Sequence, residues 1–193
     1  MTILRTERLR LEPFADRHLD GLFEMNRRPE VMRFITGQPE TREQTAAAIA
    51  RVQRCWAVLG TSWWAFIDPQ HERVVGAGCI QYARREATMP ADLESLRSNP
   101  HEIGWRLHPD VWHLGLASEA AKCMTGFAFD ALAAPELIAV RDPDNVASGR
   151  VMDRLGMRYR GMETWYGQSL ATHVLSRDEW IRAAAARDGG VAT

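Results

Sequence analysis

The chain has 193 residues, enough for one domain that buries a substantial core. Its 24 basic residues meet 25 acidic ones, and a formal net charge of −1 excludes the global field that would draw nucleic acid or anionic lipid. The apolar fraction of 46% fits a soluble globular protein, yet no run approaches the ~18 apolar residues needed to span a bilayer.

The first residues, Met1 to Arg8, carry no apolar run long enough for a signal peptide. Cys55, Cys79 and Cys123 are an odd number in three separate apolar settings, none at metal-ligand spacing. Buried free thiols and a reducing cytoplasmic location are the expectation.

Taken in order, Arg8 to Glu12 alternates and predicts a first strand ending at Pro13. Asp16 is placed to cap a helix through Leu19, Leu22, Phe23 and Met25, closed near Arg28-Pro29. Thr41 with Gln44 forms a capping box for a helix through Ile49, Val52, Trp56 and Leu59, stopped by Gly60. Trp63–Ile67 and Val74–Tyr82 read as a hairpin; Gly76 and Gly78 either weaken its second strand or mark a close backbone approach. Residues 83–100 lose periodicity and read as an inserted surface loop, either a lid or a plain solvated excursion, with a turn of helix at 91–96. Leu137–Val140 is a short, wholly apolar strand of the buried kind. A helix with Val146, Val151, Met152 and Leu155 on its apolar side follows, stopped by Gly156. Tyr159–Thr164 and Ala171–Ser176 form a closing hairpin around Tyr166-Gly167-Gln168. Asp178–Ala186 is a last helix and 187–193 a flexible tail.

The most informative stretch is Glu102 to Ala120. Ile103, Trp105 and Leu107 alternate with Glu102, Gly104 and Arg106 as on a strand, which Pro109 ends. From Leu116 the apolar residues recur three and four apart as on a helix. A glycine turn at Gly115 therefore leads into a helix N-terminus, whose free N–H groups and dipole suit an anion. The turn is a candidate phosphate cradle or simply a turn. Gly115 is followed by Leu116 and Ala117 rather than Lys and Ser/Thr, so it is no Walker loop, and a single glycine makes no dinucleotide fingerprint.

Three pieces in this order carry a resemblance: Glu102-Ile103-Gly104-Trp105-Arg106-Leu107; Trp112 to Ala120, of the form bulky-x-x-Gly-x-Ala-Ser-Glu-Ala; and Asn145-Val146-Ala147-Ser148-Gly149-Arg150 with Leu155-Gly156-Met157. Together they resemble the central strand, the pyrophosphate loop and the Asn-x-x-Ser helix of the GNAT superfamily of acetyl-CoA-dependent N-acetyltransferases. The similarity is to the RimJ/RimL-like branch that acetylates N-terminal amines of ribosomal proteins. It implies a single α/β (α+β) acetyltransferase domain over residues 1–193, with a mixed, mostly antiparallel sheet of about seven strands splayed into a central V and flanked by helices.

The resemblance also implies roles. Acetyl-CoA would lie in the V, its pyrophosphate on the turn formed by His113, Leu114, Gly115, Leu116, Ala117 and Ser118. Its pantetheine arm would pair with backbone around Trp105 to Leu107, and an N–H near Leu107 would face the thioester oxygen. Glu102 matches the family's strand acid and would take the amine's proton, with His101 and His108 as weaker candidates; a charged strand end is the other reading of Glu102. Ser148 would protonate the departing thiolate, or serve as an ordinary helix cap. Asn145 would bond the pantetheine or the start of the helix. The basic residue common just before the loop glycine is replaced by His113-Leu114, so a positive charge would have to come from His113 or Arg150. Neither metal, nucleic acid nor membrane is implied, and family members are monomers or homodimers.

The leading expectation is acetyl transfer from acetyl-CoA to a primary amine, either a protein N-terminus or a small molecule. A longer donor such as succinyl-CoA, met by Arg84, Arg85 or Arg106, and a non-catalytic acyl-CoA-binding or regulatory module are the alternatives.

Overall fold

Two strands, β1 (Leu4–Arg5) and β2 (Arg10–Pro13), stand where the alternation predicts one at Arg8–Glu12. The computed structural model describes residues 2–188. Between these strands Leu9 N donates to Thr6 Oγ1, making a tight turn that swings Arg8 out of the ladder. Pro13 lies beyond the residues of β2 that pair with β1, so its missing N–H leaves no partner unsatisfied there.

The predicted hairpin is β3 (Trp63–Asp68) and β4 (Arg73–Tyr82), followed by β5 (His101–Leu107), β6 (Glu136–Arg141), β7 (Arg158–Trp165) and β8 (Gln168–Ser176). All belong to one sheet in the order β1-β2-β3-β4-β5-β6-β8-β7. The eighth strand beyond the expected seven is the two-residue β1. Every pairing is antiparallel except β5 with β6, which are joined by the crossover that parallel strands require.

That crossover is α4 (Leu116–Asp130), shorter than a run to Pro135. The other helices are α1 (Leu19–Asn26), α2 (Pro29–Met32), α3 (Arg42–Leu59), α5 (Val146–Leu155) and α6 (Arg177–Asp188). Thr41 caps α3 in the predicted box with Gln44, and Gly60 ends it in the left-handed conformation. Asp16, expected as a cap, instead starts a 3-10 turn over Asp16–His18 capped by Ala15, and its carboxylate receives Gln53 Nε2. Pro29, expected only to close the preceding helix, opens a short one of its own. The tail expected over 187–193 lies, from residue 189, outside the described residues.

The core is sealed where α4 crosses the sheet. Met124, Phe66 and Ile103 are all essentially without solvent contact. A Cβ on Gly78 would lie 2.5 Å from Phe66 Cζ and 2.8 Å from both Gly104 O and Met124 Cε. The glycine therefore marks a close approach, which settles the two readings of that strand. Cys55 and Cys79 are buried free thiols as expected, whereas Cys123 is only half-buried, with Sγ 3.7 Å from Arg5 O. Among the described residues no helix is long and apolar enough to cross a membrane.

Candidate active site

β5 keeps seven residues in register with β4 but only two, His101 and Glu102, with β6. Beyond Glu102 the parallel strands separate, which is the V. His108 N donates to Val75 O on the β4 side. Amides alternate sides along a strand, so those of Leu107 and Trp105 point the other way, into the opening. A cavity of about 720 Å³ occupies this opening. Glu102, Gly104 and Arg106 line it from β5, and Val140, Arg141 and Asp142 from the β6 arm and the turn after it. Ile103 and Leu107 turn to the core, as the alternation predicts.

Glu102 sits where the V begins and is 7% exposed. Its Oε2 accepts a short hydrogen bond from the Tyr166 hydroxyl and another from Gln81 Nε2 at 3.1 Å. Gln81 is oriented in turn by Trp63 Nε1, 2.9 Å from its Oε1. Burial raises the carboxyl to about 7, against the opposing pull of the Gln81 hydrogen bond and the Arg84 charge. A carboxyl poised there exchanges a proton near neutrality. His101 stacks on Tyr82 and His108 accepts from Asp110 N; neither lines the cavity.

Tyr166 carries no motif in the sequence. It reaches Glu102 because the β7–β8 hairpin turns on Tyr166 and Gly167, both with positive φ, at 56° and 72°. Two backbone bonds, Tyr166 N to Arg84 O and Gly167 N to Arg85 O, fasten that turn to the loop after β4. A non-glycine residue held left-handed is strained, and here the strain aims a phenol into the cavity.

At the other end of β5, Trp112 Nε1 donates to Leu107 O and pins the following loop to the strand. Gly115 takes φ +80° as the N-cap of α4, and no side chain caps the helix. The amides of Leu116, Ala117 and Ser118 form its first turn. Glu119, whose charge would oppose an anion there, is held by Arg8 at 2.6 Å and by the Thr6 hydroxyl. Arg8 Nη1 also binds Leu114 O. His113 and Leu114 are exposed, His113 with φ 64°. Arg150 is exposed on α5 and does not line the cavity, whereas Arg154, one turn on, puts Nη1 3.4 Å from Ser118 Oγ. Arg8 and Arg154 are the arginines bonded at this turn; Arg150 lies one turn earlier on the same side of α5 and shows neither a hydrogen bond nor an ion pair among the described residues.

Across the cavity, Asn145 Oδ1 accepts from Ser148 N and caps α5. Ser148 is thus not the cap, and it lines the cavity with Asn145 and Met152. Residues 8–158 match the family model described as the acetyltransferase (GNAT) domain. The chain belongs to the GNAT acetyltransferase family. It is 26% identical to the FsC-acetyl coenzyme A-N(2)-transacetylase of Aspergillus fumigatus, covering 93% of this chain and 78% of that one. It is 30% identical to the uncharacterized protein YkkB of Bacillus subtilis, over 82% of this chain and 86% of that one. A structure of the ribosomal alpha-N-protein acetyltransferase RimL in complex with coenzyme A matches with a TM-score of 0.74, covering 92% of this chain and 99% of that one. At 13% identity that likeness is one of fold.

The far wall of this GNAT cavity comes from elements with no motif in the sequence. Trp63 and Phe34 line it, while Trp56 and Trp64 belong to the core. Arg106 lies over the Trp63 ring at 4.6 Å and donates from Nε to Asn26 Oδ1, and Asn26 Nδ2 donates to Glu40. Arg84 lies over the Tyr166 ring at 4.5 Å. Among the described residues no cluster of His, Cys, Asp or Glu stands ready to hold a metal.

Proposed function

We propose that this protein transfers the acetyl group of acetyl-CoA directly to a primary amine, with Glu102 as the base. The observation that carries the reading is a single buried carboxyl, raised to about 7, at the point where the two strands of the V part. The N(2)-transacetylase relative supports nitrogen as the acceptor atom. The shared fold supports, more loosely, a RimJ/RimL-like reaction on an α-amine.

Gly115 and the uncapped first turn of α4 would hold the pyrophosphate through main-chain amides, helped by Arg8 and Arg154. Such a cradle needs no side chain at its centre, and Gly115 has none. The amides of Trp105 and Leu107, free of any strand partner on β6, would pair with the pantetheine and face the thioester oxygen. Glu102 takes the proton from the attacking nitrogen, directly or through the Tyr166 hydroxyl. The carbon–sulfur bond breaks as the carbon–nitrogen bond forms. Ser148, on the opposite wall, passes a proton to the thiolate and regains one from solvent. An α-amine, with a pKa of about 7.7–8.0, asks less of this base than a lysine near 10.4.

The test is thiol release from acetyl-CoA over an amine panel, with products identified by mass spectrometry. Acetylated amines are expected, and rates that collapse in Glu102→Gln. Tight coenzyme A binding with no turnover of any amine would make the chain a binding module instead.

A further inference from the structure

The charges around the cavity do not balance at one end. Arg106 is answered by Glu40 through Asn26, and Glu40 also accepts from the Thr45 hydroxyl. Arg141, on the β6 arm, gives Nη1 to the carbonyls of Asp142 and Pro143, and its Nε is buried without a hydrogen-bond partner. Arg84 and Arg51 stand at the other end, beside Glu102. Both line the cavity, and among the described residues neither makes an ion pair.

Arg84 is built into place. Its guanidinium stacks on Tyr166, Nη2 donates to Ala87 O at 3.2 Å, and the backbone bonds from Tyr166 and Gly167 hold the loop on both sides. Its Nε is buried without any hydrogen-bond partner. A buried donor left unmade is costly, and an acceptor atom from a ligand recovers that cost. Its main charge partner, Glu102, is itself withdrawn from water and shared with Tyr166 and Gln81, and Glu86 adds a weaker pull. A plain cation, such as a polyamine, meets two arginines here that no ion pair neutralises.

The position separates this anion site from the pyrophosphate. Arg84 follows Tyr82, which pairs with His101 at the start of β5, while the Gly115 turn follows Leu107 at its end. The seven residues between span roughly 20 Å. Along that line come first the α4 N-terminus, then the Trp105 and Leu107 amides, then Glu102, then Arg84. An amine delivered to Glu102 has its remaining substituents next to Arg84.

Resting on the acetyl-transfer reading above, we infer that the acceptor is a small amine carrying a carboxylate or similar anion close to its nitrogen, read by Arg84 with Arg51 behind it. Arg84 meets the anion in the plane of its fork while the amine faces Glu102, one aromatic ring away. Amino acids have this spacing, and a charged acyl chain on the donor would present the same group from the other side.

The test measures kcat/KM for thiol release on matched pairs, each amino acid against its α-carboxamide, with acetyl-CoA and with succinyl-CoA. Removing the carboxylate leaves a less basic amine, so an unselective enzyme favours the amide at neutral pH. The expected result is the reverse: with acetyl-CoA the carboxylate member is better by at least tenfold, about 1.4 kcal/mol. Arg84→Gln removes the preference, read as the ratio of kcat/KM within each pair, and Arg84→Lys restores part of it. Arg51→Gln, on an exposed helix position, weakens it without risk to the fold. Equal or better turnover of the amides overturns the inference, as does a preference that survives both glutamine variants. Turnover of peptides alone, whatever their charge, does the same. An Arg84-dependent preference for succinyl-CoA with uncharged amines places the anion on the donor and overturns the acceptor assignment. Absence of thiol release from every pair with either donor fails the transferase reading itself, and is thereby distinct from a failure of the charge preference.

Discussion

The Tyr166 hydroxyl donates to the same oxygen of Glu102 that receives Gln81 Nε2, across 64 residues of chain. Two neutral donors on one buried carboxylate oxygen favour its ionised form, while exclusion of water favours the protonated one. Burial prevails and raises the group to about 7 against the Gln81 hydrogen bond and the Arg84 charge, and most of what can be tested about this protein follows from that.

The pH dependence of turnover is the first consequence. With Glu102 at about 7, kcat/KM rises through neutrality as the carboxyl loses its proton and the base becomes available. Glu102→Gln is expected to lower kcat by about 10²–10⁴, the usual worth of a positioned base, with acetyl-CoA affinity changed little. A Glu102→Gln enzyme with the parent pH–rate profile would remove Glu102 from the mechanism.

The same group links stability to pH. Its folded pKa is raised from 4.5, so between 4.5 and about 7 the unfolded chain releases the proton first and stability falls as pH rises. Below that window both states hold the proton and the effect vanishes; above it the penalty is complete, roughly 3 kcal/mol. Glu102→Gln carries no charge and keeps the shape. Its Tm is therefore expected to exceed the parent's at pH 8 by several degrees more than at pH 4.5. A gap independent of pH would show that burial does not hold this carboxyl high.

Tyr166→Phe deletes one donor to the carboxylate without changing the ring that Arg84 stacks on. A hydrogen bond to a charged group contributes about 1.5–3 kcal/mol, so the midpoint of the pH–rate curve should move up by about one unit or more. Titration of kcat/KM from pH 5 to 9 reads the shift directly; an unmoved midpoint would mean that the phenol does not act on Glu102.

At the other end of β5, Arg154→Ala should raise KM for acetyl-CoA several-fold and leave kcat nearly unchanged, because its contact with Ser118 lies at the edge of the proposed phosphate turn. The increase should shrink at high salt, as expected of an exposed charge. The parallel variant Arg150→Ala should do less, since only Arg154 is bonded to Ser118. Coenzyme A titrations at two ionic strengths compare the two.

Gly78→Ala tests the packing that closes the V from below. Its Cβ would press on the Phe66 ring, the Met124 tip and the Gly104 carbonyl, and backbone cannot yield as a side chain can. A loss of about 1–3 kcal/mol is expected in denaturant unfolding. Gly37→Ala meets nothing within 4 Å and differs only by its backbone conformation, so the comparison separates crowding from strain.

Local pattern alone was enough for much of this molecule. Alternation placed β5, helical spacing placed α4, and Thr41 with Gln44 placed the start of α3, because each depends on residues within one or two turns of one another. The Gly115 turn was legible for the same reason, lying between elements whose ends are marked by proline and glycine, whereas Glu102 was singled out only by the family resemblance. Tyr166 and Arg154 were not legible, and Arg84 was legible only as one of three arginines that a charged donor could meet. Their places depend on contacts between segments far apart in the chain, a hairpin tip bonded to the loop at 84–85 and one face of α5 laid beside the start of α4. Nothing in their own neighbourhoods distinguishes them from turn and surface residues. What the amino-acid order determined by itself was the set of elements and the strand, turn and helix that can cradle a phosphate; what only the tertiary structure decided was which charges and hydroxyls meet inside the V, since burial and long-range approach set their chemistry.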